Sequence, residues 1–316
     1  MGLRIPPKSP GMSRERYLVC PNFCPEAEAM RQAIDQHFAE PDRHQAHLHQ
    51  VWNYWYVPDL YTYLRTEPEK VIPKPLVDAF QQRLQAWCAQ YLGLTEVTRP
   101  WLSLYVAGCG QGLHNDSRNG RWAYVFSLTR WDQRQFQGGE TLVMKDEVGR
   151  PNPRLIEAHA GSSFYDLVPS HFNQLVVFDD RVIHGVRPLQ GTMDPREGRL
   201  VMHGHIREGG IFAQGALSRE ALVPVLQEMG QYLERCVTTY GPYYHGLLSL
   251  RLQVGSQGRV ERIHILTDRI LEVDRNCKPA TEVSAAICEV FKHLSFPQAN
   301  GPTYITVPVS LGMPLP

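Results

Sequence analysis

Between residues 101 and 206 apolar residues alternate with small or polar ones in short runs, and each run stops at a cluster of turn-forming residues. Trp101-Leu-Ser-Leu-Tyr-Val-Ala ends at Gly108-Cys-Gly-Gln-Gly112, and Trp122–Thr129 and Gly138–Met144 are separated by a polar turn. Gln174–Phe178 turns through Asp179-Asp180 into Val182–Val186, and Leu200–Ile206 closes the series. Period-two alternation bounded by Gly, Asp and Asn marks half-buried strands. A succession of such strands predicts a sandwich or jelly roll.

On either side the period changes to that of helices. Glu26–Ala39 follows Pro25 and stops before Pro41, which predicts a helix. Pro75–Leu92 carries Leu76, Phe80, Leu84, Trp87 and Tyr91 at helical spacing, a stripe suited to packing on a sheet. Between them Val51-Trp-Asn-Tyr-Trp-Tyr-Val57 is dense in aromatic rings. It reads as a strand or turn in the core, in preference to a wall of a substrate pocket. His44, His47 and His49 lie in a polar stretch and read as solvated imidazoles.

Past Gly209-Gly210 the pattern shifts again. Ser218–Cys236 is an amphipathic helix in which Pro224 predicts either a late start near Leu222 or a kink. Two alternating runs, Gly246–Val254 and Val260–Leu266, are joined by Gly255-Ser-Gln-Gly258 into a hairpin. A helix over Val283–Leu294, then Ser295-Phe-Pro297, then a strand over Thr303–Val309 complete the chain. The expected organisation is mainly β with α: a jelly-roll domain over 1–210 with N-terminal supporting helices, a connecting helix over 211–240, and a small α+β domain over 241–316.

Composition narrows the classes without choosing among them. With 316 residues, 43% of them hydrophobic, the chain can form packed cores. Lys+Arg and Asp+Glu both number 32, so no net field favours nucleic acid or a membrane surface. No apolar run reaches membrane-spanning length, and Met1–Pro10 lacks the apolar centre of a signal peptide, so a cytoplasmic protein is expected. Seven irregularly spaced cysteines fit free thiols in a reducing compartment. Cys20 and Cys24 lack the two further ligands that a zinc site would need.

Candidate chemistry sits at the strand ends. His114-Asn-Asp116 follows the first run, His184 lies in the fifth, and Arg199 opens the last. Alone, the His-x-Asp triplet is as well explained by an exposed polar loop. With a second imidazole on a neighbouring strand, it becomes two nitrogens and a carboxylate on one side of a metal, a donor set that leaves other coordination positions open. His203 and His205 face one way on the same strand and form a conceivable rival ligand pair, though lining the barrel suits them better. His159 and His171 carry no separate signal.

Taken in order, Tyr105–Asp116, Arg121–Thr129, Trp131 with Gly138-Gly-Glu140, Gln174–Val186 and Gly198-Arg199 resemble the 2-oxoglutarate/Fe(II) dioxygenase superfamily, nearest its prolyl-hydroxylase-like branch. The resemblance covers roughly residues 100–206. It implies a double-stranded β-helix with Fe(II) on His114, Asp116 and His184, and a basic residue on the distal carboxylate of 2-oxoglutarate; Arg187 and Arg196 compete for that role, and Arg199 is preferred because it opens the last strand, where a guanidinium can hold a carboxylate bidentately. Tyr105 and Ser127 align with positions that hydrogen-bond the cosubstrate, and Tyr124 is the substitute for Ser127 on the opposite face. The implied reaction uses O2 to hydroxylate a C–H bond, with succinate and CO2 as coproducts. The intact Asp116 favours hydroxylation over halogenation.

The β-β-α-β order with its Phe-Pro resembles the C-terminal module of the TonB family, which implies a surface for dimerisation or for docking a peptide edge-on. Three readings follow. One is a hydroxylase of an amino-acid side chain in a peptide or protein, the second a hydroxylase of a free amino acid or small metabolite, and the third a catalytically silent binding module of the same fold.

Overall fold

Alternation along each strand decides which side chains enter the barrel. The computed structural model describes residues 14–39, 51–145, 164–240, 243–272 and 277–312. They form two compact units, one of residues 16–84 and 97–206, the other drawing on 1–15, 85–96 and 207–316.

In chain order the first unit contains β1 (Tyr17–Cys20), α1 (Ala27–Ala39), β2 (Asn53–Val57), β3 (Tyr61–Thr66) and α2, which begins at Lys74 and runs to Trp87. The short β4 (Glu96–Val97) precedes β5 (Trp101–Tyr105), β6 (Gly110–His114), β7 (Trp122–Ser127), β8 (Thr141–Met144) and β9 (Tyr165–Val168). β10 (Gln174–Asp179), β11 (His184–Val186) and β12 (Arg199–Arg207) follow. One layer is ordered β5-β12-β7-β10 with β1 outside it, and the other β6-β11-β8-β9. Placing the last strand beside the first, and pairing early strands with late ones in both layers, is the jelly-roll connectivity. β3 joins the layers: Leu64–Thr66 pair with β5, while Tyr61 and Thr62 pair with β6.

Registers fix the two faces. Val201 lies opposite Ser127 and His203 opposite Val125, so odd-numbered residues of β7 and β12 share a face; Met202 opposite Phe126 belongs to the other. Ala123, Val143, Val168, Val176, Phe178 and Val182 form the barrel's apolar interior. Outside, Phe80 of α2 packs on Phe126 with ring centroids 4.8 Å apart, and Phe23 meets both. The buried stripe of α2 is Val77, Phe80 and Leu84, the i, i+3, i+7 spacing of one helical face. Arg31 of α1 is buried too, satisfied by the Leu128 carbonyl at 2.9 Å and Asp35 at 2.9 Å.

Three expectations need correction. The helix predicted to reach Leu92 is α-helical only to Trp87; Cys88–Leu92 widens into a π turn that Gly93 ends in the left-handed conformation, φ 71°. The aromatic run at 51–57 is a strand but no part of the core, because all five residues of β2 are exposed. Among the described residues β2 pairs with β3 alone, so there it is an edge, and Tyr54 and Tyr56 stack on each other at 6.0 Å. Thirdly, of the two alternatives for the segment with Pro224, the late start is excluded, because the helix already runs from Arg219. Helical bonding begins with Leu222 N–H donating to the Ser218 carbonyl, ahead of the proline. His44, His47, His49 and His159 lie outside the described residues.

The second unit contains β13 (Phe212–Gly215), α3 (Arg219–Tyr240), β14 (Tyr244–Val254), β15 (Val260–Asp268), β16 (Leu271–Glu272), α4 (Ala280–Lys292) and β17 (Thr303–Leu311). Its sheet is ordered β13-β17-β14-β15, with β16 against the start of β14. Leu248, Leu250 and Leu252 of β14 bury against Val283, Ile287 and Phe291 of α4, while Leu222 and Met229 bring α3 into the same core. Arg251 donates to the carbonyls of Ala89 at 2.6 Å and Gln90 at 3.2 Å, satisfying acceptors that the π turn leaves unpaired. β13 had no counterpart in the sequence pattern. No helix among the described residues is long and apolar enough to cross a membrane.

Candidate metal centre

β6 ends on His114 and β11 begins on His184, and the two residues are register partners. Close pairing here needs Gly185, since a Cβ at that position would stand 2.8 Å from the Gln111 carbonyl oxygen. Asp116 lies just past the end of β6, so strand periodicity alone does not aim it. Its backbone N–H donates to the Asp180 carbonyl at 2.7 Å, which ties the turn after β6 to the turn before β11.

The donor atoms of His114, Asp116 and His184 lie within 4.8 Å of one another. His184 Nε2 is 3.3 Å from Asp116 Oδ2, and His114 Nε2 is 4.0 Å from Asp116 Oδ1. Each imidazole is oriented from behind. His114 Nδ1 donates to the Gly112 carbonyl at 2.8 Å and His184 Nδ1 to that of Val182 at 2.9 Å. A carbonyl oxygen only accepts, so Nδ1 carries a proton in each ring and it is Nε2 that faces the carboxylate.

Electrostatics suits the same role. Burial pushes the Asp116 carboxyl up, but the hydrogen bond and charge of His184, helped by His205 and His114, hold it at about 2. Burial and then His184 push His114 down, against the Gly112 carbonyl and Asp116. An ionised Asp116 and a His114 held towards its neutral form are the states a metal requires of those ligands.

A cavity of about 460 Å³ opens from this cluster through the barrel. At its floor Arg199, 1% exposed, stands opposite Tyr105 in the β5–β12 register. Arg199 Nη2 donates to Thr141 Oγ1 at 3.3 Å, whereas Nε and Nη1 are buried with no hydrogen-bond partner among the described residues. The guanidinium lies 4.8 Å from the centre of the Tyr105 ring, which in turn stacks on Tyr63 at 5.1 Å. Burial opposes the charge on Arg199, and Tyr105 and Glu140 favour it. A buried cation with two donors to spare is complementary to a carboxylate. The competing arginines are engaged elsewhere: Arg187 faces Glu140 at 3.7 Å, and Arg196 pairs with Asp194 at 2.8 Å.

Other candidates fall differently. Ser127 shares the inward face with Arg199, yet its Oγ donates to the Ser170 carbonyl at 2.8 Å and accepts from Thr129 N–H at 3.1 Å and Ser170 Oγ at 2.9 Å. It does not line the cavity. Tyr124 lies on the outer face near Phe80, its hydroxyl donating to the Thr98 carbonyl at 3.0 Å, and it reaches the cavity rim beside Gly204. His203 lines the cavity but is held by Ser103 Oγ at 2.7 Å, and burial pushes it down to about 3. Neither it nor His205 belongs to a metal-binding group among the described residues. His171 pairs with Asp132 at 3.3 Å, away from the cavity.

Sequence reasoning passed over β3. Its Tyr61, Tyr63 and Arg65 line one side of the cavity, with the Tyr61 ring edge-on to His114 at 5.1 Å. The alternation Tyr-Thr-Tyr-Leu-Arg carried that signal.

No protein-family model and no curated protein matches this chain. Among solved structures it is similar to a Pseudomonas putida prolyl-4-hydroxylase, with 18% identity, TM-score 0.40, and coverage of 62% of this chain and 94% of that one. A viral collagen prolyl hydroxylase from Paramecium Bursaria Chlorella virus-1, in its 2OG complex, matches at 11% identity over 60% of this chain and 94% of its own, TM-score 0.37. EctD from S. alaskensis with bound Fe matches at 17% identity over 60% of this chain and 72% of its own, TM-score 0.37.

Proposed function

We propose that this chain is an Fe(II)- and 2-oxoglutarate-dependent dioxygenase that hydroxylates a C–H bond of an amino-acid side chain, taken as part of a peptide. The observation that carries the reading is one cavity holding both the His114–Asp116–His184 donor set and a buried arginine with two unpartnered donors.

The donor set fits the metal. Two imidazole nitrogens and one carboxylate gathered on one side leave the cavity side open, as a ferrous centre with exchangeable positions needs. The floor fits the cosubstrate, because Arg199 Nε and Nη1 await acceptors and Thr141 and Tyr105 fix the guanidinium. Bound Fe(II) and 2-oxoglutarate, with O2, would supply oxidative decarboxylation to succinate and CO2 coupled to substrate hydroxylation.

Protein groups have narrower tasks. His114 and His184 present fixed Nε2 atoms, and Asp116 supplies the negative charge. Arg199 selects a dicarboxylate by its far end, where a keto acid lacking the second carboxylate would leave the guanidinium unpaired. Tyr105, stacked on Tyr63, walls that end from water. A peptide substrate is supported by β2, an edge strand among the described residues, whose Trp55 lines the cavity and whose outer edge can pair with an extended chain.

Anaerobic titration with Fe(II) and then 2-oxoglutarate tests the assignment through the weak visible charge-transfer band of the chelate. The band is expected in the native protein, absent in His184→Ala and weakened in Arg199→Ala. Folded native protein that gives no band would leave the silent binding module as the better account.

A further inference from the structure

Among the described residues three guanidinium groups line the cavity, and Asp116 is the sole carboxylate that does so. Arg199 is at the floor, in the position taken above for the cosubstrate. Arg99 is neutralised by Glu69 and by Asp78, the latter at 3.0 Å. Arg65 is different: among the described residues its recorded neighbours are aromatic. Its guanidinium lies 3.5 Å from the centre of the Trp55 ring and 4.3 Å from that of Trp101, and it also meets the Tyr63 hydroxyl.

Stacking between two indoles uses the faces of a guanidinium and leaves most of its in-plane N–H donors free. It also removes water from both faces and fixes the plane, so an acceptor arriving at the edge meets an ordered fork. Trp55 and Trp101 are 38% and 36% exposed, which puts this fork at the cavity mouth. Tyr61, Tyr63 and Arg65 follow one another on one face of β3. Tyr61 touches His114, Tyr63 stacks on Tyr105, and Arg65 comes next, roughly 7 Å beyond Tyr63 and 13 Å beyond Tyr61 along the strand.

We propose that Arg65, clamped between Trp55 and Trp101, determines specificity by binding a carboxylate carried by the substrate at an end remote from the reacting carbon. This rests on the oxygenase reading for what happens at the metal, though not for the anion contact itself. The separation along β3 argues against the carboxylate of the hydroxylated amino acid itself. It suits the C-terminal carboxylate of a peptide a few residues away.

The test uses the full chain, anaerobic, with Fe(II) and excess 2-oxoglutarate, titrated with N-acetylated tripeptides supplied both as C-terminal acids and as carboxamides. Tryptophan fluorescence reports occupancy at Trp55 and Trp101, and calorimetry gives affinities. Peptide acids should bind roughly tenfold more tightly than their amides, the worth of a charge-assisted pair. The preference should vanish in Arg65→Gln and partly survive in Arg65→Lys, while 2-oxoglutarate affinity stays at the native value in both. Equal binding of acids and amides overturns the proposal. So does a preference that persists in Arg65→Gln, or no acid binding at millimolar concentration. The chelate band, read in the same samples, separates the two failures: a normal band without acid preference sinks Arg65 alone, and no band sinks the oxygenase reading.

Discussion

His114 and His184 stand directly opposite each other on neighbouring antiparallel strands, with ring centroids 4.4 Å apart. Each ring is pinned through Nδ1 to a carbonyl two residues earlier in its own chain segment. Cross-strand pairing thus supplies two of the three donors in fixed orientation, and the backbone bond from Asp116 to Asp180 brings the third.

That geometry predicts a metal-dependent stability. A ligand that binds only the folded state at 100 times its dissociation constant stabilises it by about 2.7 kcal/mol. Native protein should therefore melt at a higher temperature with Fe(II), kept anaerobic, than after chelation. His184→Ala should show no such difference, and its metal affinity should fall by at least roughly 100-fold, because outer-shell partners alone account for 10–100-fold. Differential scanning calorimetry with and without metal checks both. An equal metal-induced shift in the variant would remove His184 from the ligand set.

Arg199 holds two unpartnered buried donors, which is costly unless an anion arrives. Arg199→Met should raise the stability of the cosubstrate-free protein by about 1–4 kcal/mol, as replacing buried charge by apolar volume does elsewhere. The same variant should lose roughly 100-fold or more in 2-oxoglutarate affinity. Denaturant melts with and without 2-oxoglutarate read both quantities; a variant less stable than native in its absence would contradict the account.

Ser127 bonds to Ser170 and Thr129, so its importance should be structural. Ser127→Ala should cost about 1–3 kcal/mol by leaving buried partners unsatisfied. Its 2-oxoglutarate dissociation constant should match the native one, measured by calorimetry. A large loss of cosubstrate affinity with unchanged stability would restore Ser127 to the binding site.

His203 gives the fold an acid limit. Burial is the main cause of its low value of about 3; His205, Arg199 and Arg65 add to it, and Asp116 opposes them. In the unfolded chain a histidine titrates near 6.5, so below about that pH the unfolded state binds the extra proton. The folded state is favoured fully above that value and loses, on the order of a few kcal/mol, as pH falls toward 3. His203→Gln should flatten stability against pH between 6.5 and 4, read from urea melts at each pH. An unchanged slope would show that His203 protonates freely in the fold.

Local pattern carried a good part of this protein. Alternation in Trp101–Tyr105, Trp122–Ser127 and Arg199–Ile206 sufficed for strands, and the helical stripe through Phe80 and Leu84 for a helix on their outer face. The order of His114, Asp116, His184 and Arg199 along those strands was enough to name them together. All of these are short-range periodicities or strand-end positions, which a linear sequence records directly.

Tertiary pairing decided the rest. Parity put Ser127 on the same face as Arg199, but only the approach of Ser170 shows that one is consumed by the interior and the other faces the cavity. Burial, invisible in sequence, distinguishes Arg199 from Arg187 and Arg196: two of its donors have no partner among the described residues, while the other two arginines meet acids. The aromatic run at Asn53–Val57 has a core-like composition, yet it forms an edge, because what covers a strand depends on neighbours distant in the chain. Sequence determined which residues could line a metal and a carboxylate. The closing of β6 on β11 and β5 on β12 determined which of them meet.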